Sequence, residues 1–175
     1  MKRAVTLAIL FFVTFASTAM AIEGLALRGS GSITYMGFID VYDAALFTED
    51  GDAATDIMDP ELSKCLRLDY KLALSAKDFI QAADTVLKRQ HPPQTLQRVN
   101  QEISALNKAY LPVKQGDRYQ LCYDGKRKGT TLSLNRQKLI TIDSADFASI
   151  YFGIWLGPRE PIDERLRDSL LYGRK

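Results

Sequence analysis

From Cys65 to Leu72 polar and apolar residues alternate without interruption, with Leu66, Leu68, Tyr70 and Leu72 on one side and Cys65 on the other. Arg118 to Asp124 alternates in the same way, and Cys122 again falls on the polar side. A period of two belongs to a strand, since a helix would scatter the same residues around its axis. Alternation also means that one face of the sheet is covered and the other is wetter, the habit of antiparallel sheets. The chain must therefore build a one-sided sheet and supply something apolar to cover it.

The cover is legible as helices. Ser75-Ala76-Lys77-Asp78 is a capping box, and Phe79, Ala82, Ala83, Val86 and Leu87 then recur as a single apolar stripe. His91-Pro92-Pro93 ends that helix, and a second is expected from about Thr95 to Tyr110 with Leu96, Val99, Ile103, Leu106 and Tyr110 inward. Ser144 caps a third, bearing Phe147, Ile150, Tyr151, Ile154 and Trp155, with Gly157 expected at its C′ position before Pro158. Pro161 is expected to open a last helix through Leu166 and Leu170 to Gly173.

Strands fill the remainder. Ile22 to Leu27 is a short apolar run, and Arg28-Gly29-Ser30-Gly31 reads as a turn. Ser32–Tyr35 and Phe38–Phe47 read as two strands or one bent strand, Gly37 marking the bend. Arg118–Tyr123, Thr130–Leu134 and Lys138–Ile142 form a meander. Strands in runs, then a helix pair, a meander and two more helices make an α+β layout.

The start of the chain has its own logic. Met1-Lys2-Arg3 is basic, Ala4 to Ala16 carries no charge, and Ala19 and Ala21 give a small-x-small cleavage pattern. Such an order reads as a secretory signal peptide over residues 1–21, leaving one domain over 22–175. The uncharged run would rise only ~20 Å as a helix, short of the ~30 Å hydrocarbon core, so no stable membrane span is expected after cleavage. The expected location is periplasmic or secreted.

Export meets oxidising conditions, which makes the two cysteines a geometric question. Cys65 and Cys122 share the polar face, and a disulfide forms if their strands are neighbours with Cα atoms under ~7 Å apart. The alternative is two ordinary thiols on separated strands, and the residues leave both open.

Composition narrows the function. Apolar residues at 46% and charged residues at 25% are globular values. Lys2 and Arg3 leave with the signal, so the mature chain balances 21 bases against 21 acids, with no electrostatic footprint for nucleic acid. One histidine and two cysteines exclude a closed zinc site built from cysteines and histidines. His91 lacks a nucleophile motif to serve, Gly29-Ser30-Gly31 lacks the rest of a phosphate loop, and Lys126-Arg127-Lys128 is a solvated hairpin tip. Asp50, Asp52, Asp56 and Asp59 lack the spacing of a calcium loop, so neither metal nor cofactor is expected. What remains is an aromatic excess on apolar faces, from Tyr35 and Tyr42 to Tyr151 and Trp155, which fits an apolar pocket with a few polar anchors.

Several stretches resemble the chalcone isomerase-like family, in its exported bacterial branch. They are Gly29-x-Gly31 with Val41-Tyr42-Asp43-Ala44-Ala45-Leu46-Phe47, then Lys114-Gln115-Gly116-Asp117-Arg118. Asp146-Phe147-Ala148-x-x-Tyr151-Phe152-Gly153-Ile154-Trp155-Leu156-Gly157 with Pro161-Ile162 is the most specific, and Leu166 to Gly173 continues it. The resemblance implies an open-faced β-sandwich, a large antiparallel sheet with helices on one face. It further implies either an isomerase that closes a flavanone ring or a relative that binds fatty acids. The isomerase needs an Arg to stabilise an enolate, helped by Thr, Tyr and Asn. By ungapped counting the family's Thr falls at Tyr42, its Arg at Ser30, its Tyr at Phe79 and its Asn at Val86, with Arg28 two positions from the Arg. The expectation is a non-catalytic binder of a small apolar or amphipathic ligand such as a fatty acid, lined by Tyr42, Tyr70, Phe79 and Val86. The alternatives are an isomerase using Arg28 and Tyr42, and an envelope adaptor whose protein partner the residues do not name.

Overall fold

The structure, a computed structural model, describes residues 24–49 and 56–173. The expected signal peptide, and Asp50 and Asp52 of the acidic loop, lie outside the described residues. The elements in chain order are β1 (Ala26–Tyr35), β2 (Ile39–Thr48), β3 (Lys64–Tyr70), α1 (Ala76–Gln90), α2 (Pro93–Arg98), α3 (Asn100–Ala109), β4 (Arg118–Asp124), β5 (Gly129–Leu134), β6 (Gln137–Asp143), α4 (Ala145–Leu156) and α5 (Glu164–Tyr172). The six strands form one sheet in chain order, every neighbouring pair antiparallel. Helices α1 to α3 are inserted between β3 and β4 without separating those strands. The result is the α+β, open-faced arrangement that the alternation demands.

Local chemistry sets the joints. Ser75 and Asp78 make the expected capping box, Asp78 N–H donating to Ser75 Oγ at 3.3 Å and Ser75 N–H to Asp78 Oδ2 at 2.7 Å. Ser144 Oγ accepts from Phe147 N–H at 3.1 Å and starts α4. Asn135 and Arg136, both at positive φ (50° and 71°), form the two-residue turn between β5 and β6 that matches strand twist.

One sheet face is dry. Tyr42, Ala44, Leu46, Leu66, Leu68, Tyr70, Tyr119, Leu121, Tyr123 and Leu132 are buried together with the apolar faces of α1, α3 and α5. Helix α4 buries nearly its whole circumference, from Phe147 to Leu156, as a helix apolar all round must. The other face keeps charges in exchange with each other: Arg67 pairs with Asp69 at 3.0 Å, Arg118 also reaches Asp69, and Lys71 pairs with Asp43 at 2.6 Å. On that face Cys65 and Cys122 are direct register partners, bonded as a disulfide with Cα atoms 3.9 Å apart. Ala45, Phe47 and Leu25 pack around the pair.

Four local expectations are corrected. Arg28 to Gly31 is not a turn but the middle of β1, with a register irregularity between Leu27 and Gly29. The glycines serve approach instead: a Cβ on Gly29 would sit 2.3 Å from Ser169 O and 2.4 Å from Leu170 O on α5. The helix expected over 95–110 is two helices, broken at Val99, whose φ of −115° and ψ of 19° leave the helical region. Gly157 has φ −63° and ψ 148°, so no left-handed cap forms, and the residue is needed because a Cβ would meet Gly153 O at 2.6 Å. The last helix starts at Glu164 rather than Pro161, because Asp163 Oδ1 accepts Leu166 N–H at 2.7 Å.

Candidate functional site

Tyr42 and Tyr70 face each other as register partners on β2 and β3, and Tyr119 enters beside them on β4, opposite Leu68. Each is the outermost inward residue of its alternating strand at that end of the sheet. The three phenols therefore gather at one end of the dry face. Their rings contact edge to face, with centroids 5.6 Å apart for Tyr42–Tyr70 and 6.1 Å for Tyr70–Tyr119.

Helices close over this corner. The capping box of α1 sets Phe79 in the first turn, 5.5 Å from the Tyr70 ring and 5.6 Å from Tyr119. Tyr110, at the C-cap of α3, lies 5.3 Å from Phe79 and 5.7 Å from Tyr119. Helix α4 contributes Tyr151 and Trp155, four residues apart and hence on one face. The hydroxyls of Tyr110 and Tyr151 share a hydrogen bond of 2.8 Å, and Trp155 Nε1–H donates to Tyr42 OH at 3.0 Å. Tyr119 OH donates to Leu111 O at 2.8 Å and accepts Leu111 N–H at 2.9 Å.

Tyr70 lies at the centre. It is only 4% exposed, with the rings of Tyr42, Phe79 and Tyr119 packed edge to face around it. Burial first, and then the neighbouring phenols Tyr42, Tyr110 and Tyr119, push its ionisation well above the usual tyrosine value. Burial likewise raises Tyr42, Tyr110, Tyr119 and Tyr151. The cluster therefore presents neutral O–H groups, which can bind a carbonyl or carboxylate oxygen but cannot act as general bases near neutral pH.

Of the expected ligand-lining residues, Tyr42, Tyr70 and Phe79 meet here, and Val86 is buried in the same core two turns further along α1. Arg28 is held elsewhere. Its Nε donates to Leu171 O at 3.2 Å, near the C-terminal end of α5. Tyr42 pairs with Ile33, five positions along β1 from Arg28, or ~17 Å at ~3.3 Å per residue. Tyr110, Tyr119, Tyr151 and Trp155 complete the cluster without having been singled out as lining residues; the signal was a tyrosine at the end of each apolar stripe.

Other features stand apart from this corner. A groove of about 480 Å³ lies between α1, α2 and α3, with Ala83, Leu87, Leu96 and Ile103 below and Asp84 and His91 at its rim. Burial first, and then the Arg159 charge, lower the His91 pKa. Asp56 and Asp59 each accept a backbone N–H, from Met58 at 2.9 Å and Glu61 at 2.8 Å, as turn residues do. Among the described residues no group of three metal-ligating side chains occurs, and no helix is long and apolar enough to cross a membrane.

This geometry has a counterpart among solved structures. A fatty-acid binding protein of Arabidopsis thaliana is similar over 86% of this chain and 88% of its own, with a TM-score of 0.67 and 16% identity, a likeness of fold. No match was found among curated proteins. The family model described as chalcone isomerase-like matches residues 13–172, taking in all six strands and all five helices. By that match, this chain belongs to the chalcone isomerase-like family.

Proposed function

We propose that the chain is a non-catalytic binder of a small amphipathic ligand of the fatty-acid class, seated at the phenol corner between sheet and helices. The observation that carries this reading is the set of phenols gathered around Tyr70 inside an apolar corner, kept as neutral O–H groups by burial. A phenol O–H there can donate to a ligand's carboxylate or carbonyl oxygen while the surrounding rings take its apolar part. The ligand's acyl chain then lies against Phe79 and the core side of α1, where Val86 faces inward. Aromatic rings fill the corner, so entry requires Phe79 to turn aside. Phe79 and Tyr110 are the half-buried members of the cluster, and Phe79 stands in the first turn of α1.

The isomerase alternative needs a cation beside the developing enolate. Arg28, its candidate, is engaged with Leu171 O, and the position counted as the family's Arg is Ser30, so we assign no catalytic role to this corner. Fatty-acid binding in the Arabidopsis relative, by its own description, supports the ligand class.

We further propose that the protein is exported, as a member of the family's bacterial exported branch, to the periplasm or beyond. The basic start, uncharged run and Ala19-x-Ala21 pattern support this, and the Cys65–Cys122 disulfide fits an oxidising compartment.

Solvent extraction of protein purified without detergent, followed by mass spectrometry, tests both parts. The expected result is co-extracted fatty acid at near-stoichiometric amount and a mature N-terminus at Ile22. Extracts free of lipid, together with no saturable fatty-acid uptake, overturn the ligand reading; an intact Met1 overturns export.

A further inference from the structure

The β1–β2 hairpin ends in Tyr35-Met36-Gly37-Phe38-Ile39, and between Ser32 and Asp40 no residue carries a charge. Tyr35, Met36 and Phe38 are 63%, 71% and 76% exposed, values at which a soluble surface normally places polar groups. The tip also overhangs. Tyr42 is the last β2 residue paired with β3, so Ile39 stands three residues beyond the neighbouring strand, ~10 Å at ~3.3 Å per residue.

Its place in the fold is not neutral with respect to the phenol corner. β3 ends at Tyr70 and β4 starts at Arg118 at this same end of the sheet. Leu111, 44% exposed, is fixed there by its two hydrogen bonds with the Tyr119 hydroxyl. Exposed apolar groups thus flank the entrance from the strand side and from the helix side.

We propose that this end of the sheet docks on a lipid bilayer, the hairpin tip inserting into the interface. A two-strand tip is convex and sends its side chains outward in several directions, which suits a deformable medium better than a shaped protein pocket. Tyr, Phe, Met and Ile are side chains that partition into the bilayer interface. The charge beside the tip selects the kind of surface. Lys71 is answered by Asp43, Arg67 and Arg118 share Asp69, and Asp40 is exposed, so three bases there meet three acids. Arg136 and Lys138, exposed at the β5–β6 turn at this end, stand at the far edge of the sheet, β5 being three strands from β2 or ~14 Å at ~4.8 Å per strand. The inserting side chains thus have no basic excess beside them, so the matching surface is zwitterionic and the driving force is apolar burial.

Co-sedimentation of the purified mature chain with sucrose-loaded phosphatidylcholine vesicles tests this, at low and high salt. The expected result is vesicle binding that survives high salt and falls at least tenfold in a Met36→Asn/Phe38→Asp variant with an unchanged melting temperature. A Phe38→Ser single variant, expected to bind at an intermediate level, guards against an effect of the introduced charge. Wild-type chain that ignores the vesicles, binding undiminished in the variants, or binding abolished by salt would each overturn the proposal. The outcome is separable from the ligand reading: a chain that binds vesicles but carries no fatty acid keeps the docking surface and loses the ligand, and the reverse result does the opposite.

Discussion

Trp155 and Tyr42 are 113 residues apart in sequence and joined by a hydrogen bond of 3.0 Å from the indole N–H to the phenol oxygen, both side chains buried. This bond ties α4 to β2 and fixes one wall of the phenol corner. Tyr42→Phe leaves the indole donor buried and unpaired, so it should destabilise by about 1–3 kcal/mol in urea unfolding. Paired with Trp155→Phe in a double-mutant cycle, the two changes should cost less than the sum of the singles. A Tyr42→Phe chain as stable as the parent would show that the bond does not form in solution.

The disulfide closes a loop with a sequence separation of 57 between adjacent strands. On the chain-entropy estimate, its loss should lower stability by ~4 kcal/mol. Cys65→Ser/Cys122→Ser should therefore unfold at markedly lower urea while keeping its far-UV circular dichroism. Two titratable thiols in the non-reduced parent would contradict the pairing.

Gly29 and Ser30 are neighbours on β1 with opposite burdens. Gly29→Ala would drive a methyl into the carbonyls of Ser169 and Leu170, and α5 must lift from β1 to admit it. A cost of about 3 kcal/mol or more is expected, at the upper end of overpacking effects. Ser30→Ala, at an exposed position, should change stability by under ~0.5 kcal/mol. Thermal melts of the two variants decide the matter, and equal melting temperatures would mean that α5 does not seat there.

Lys64 gives stability a distinctive pH profile. The residue is 2% exposed, and its ammonium donates to Ile57 O at 2.7 Å and Asp59 O at 3.3 Å. Burial lowers its pKa from the usual 10.5 to about 8, partly opposed by the charges of Asp59 and Asp56. Between those values the unfolded chain holds a proton that the native chain lacks, so stability should rise from pH 8 toward pH 10. The buried tyrosines act in the opposite sense. Their raised pKa values keep them protonated in the native state above 10.0, where the unfolded chain ionises, so stability should then fall. Urea midpoints from pH 7 to 11 should trace this rise and fall, and Lys64→Met should flatten the rising limb alone.

The fold was largely readable because its strands alternate cleanly and its helices carry caps. Cys65 and Cys122 could be placed on one face by parity, but adjacency of β3 and β4 was not implied by parity, since a three-helix insertion separates them. Gly29-Ser30-Gly31 misled for a physical reason: glycine signals turns locally, whereas here it makes room for the α5 backbone, 140 residues away in the sequence. The site was legible in part. Tyr42, Tyr70 and Phe79 stand out on apolar faces, yet the pairing of Tyr42 with Trp155 and of Tyr110 with Tyr151 depends on how α4 settles over the sheet. Such a remainder belongs to tertiary structure and has no local signature.

Phe79 packs against the Tyr70 ring with centroids 5.5 Å apart and covers it on the proposed entry route. Phe79→Ala should open the corner, speeding fatty-acid uptake in stopped-flow displacement while lowering stability by about 2–4 kcal/mol. Uptake no faster than that of the parent would place the entrance elsewhere.

The most direct measurement is an equilibrium titration of delipidated mature protein with palmitate, parent beside Tyr70→Phe. Saturable one-to-one binding is expected in the parent and at least tenfold weaker binding in the variant, which removes one phenol donor and leaves the ring packing in place. Equal affinities in the two proteins, or no saturable binding in either, would contradict a ligand held at the phenol corner.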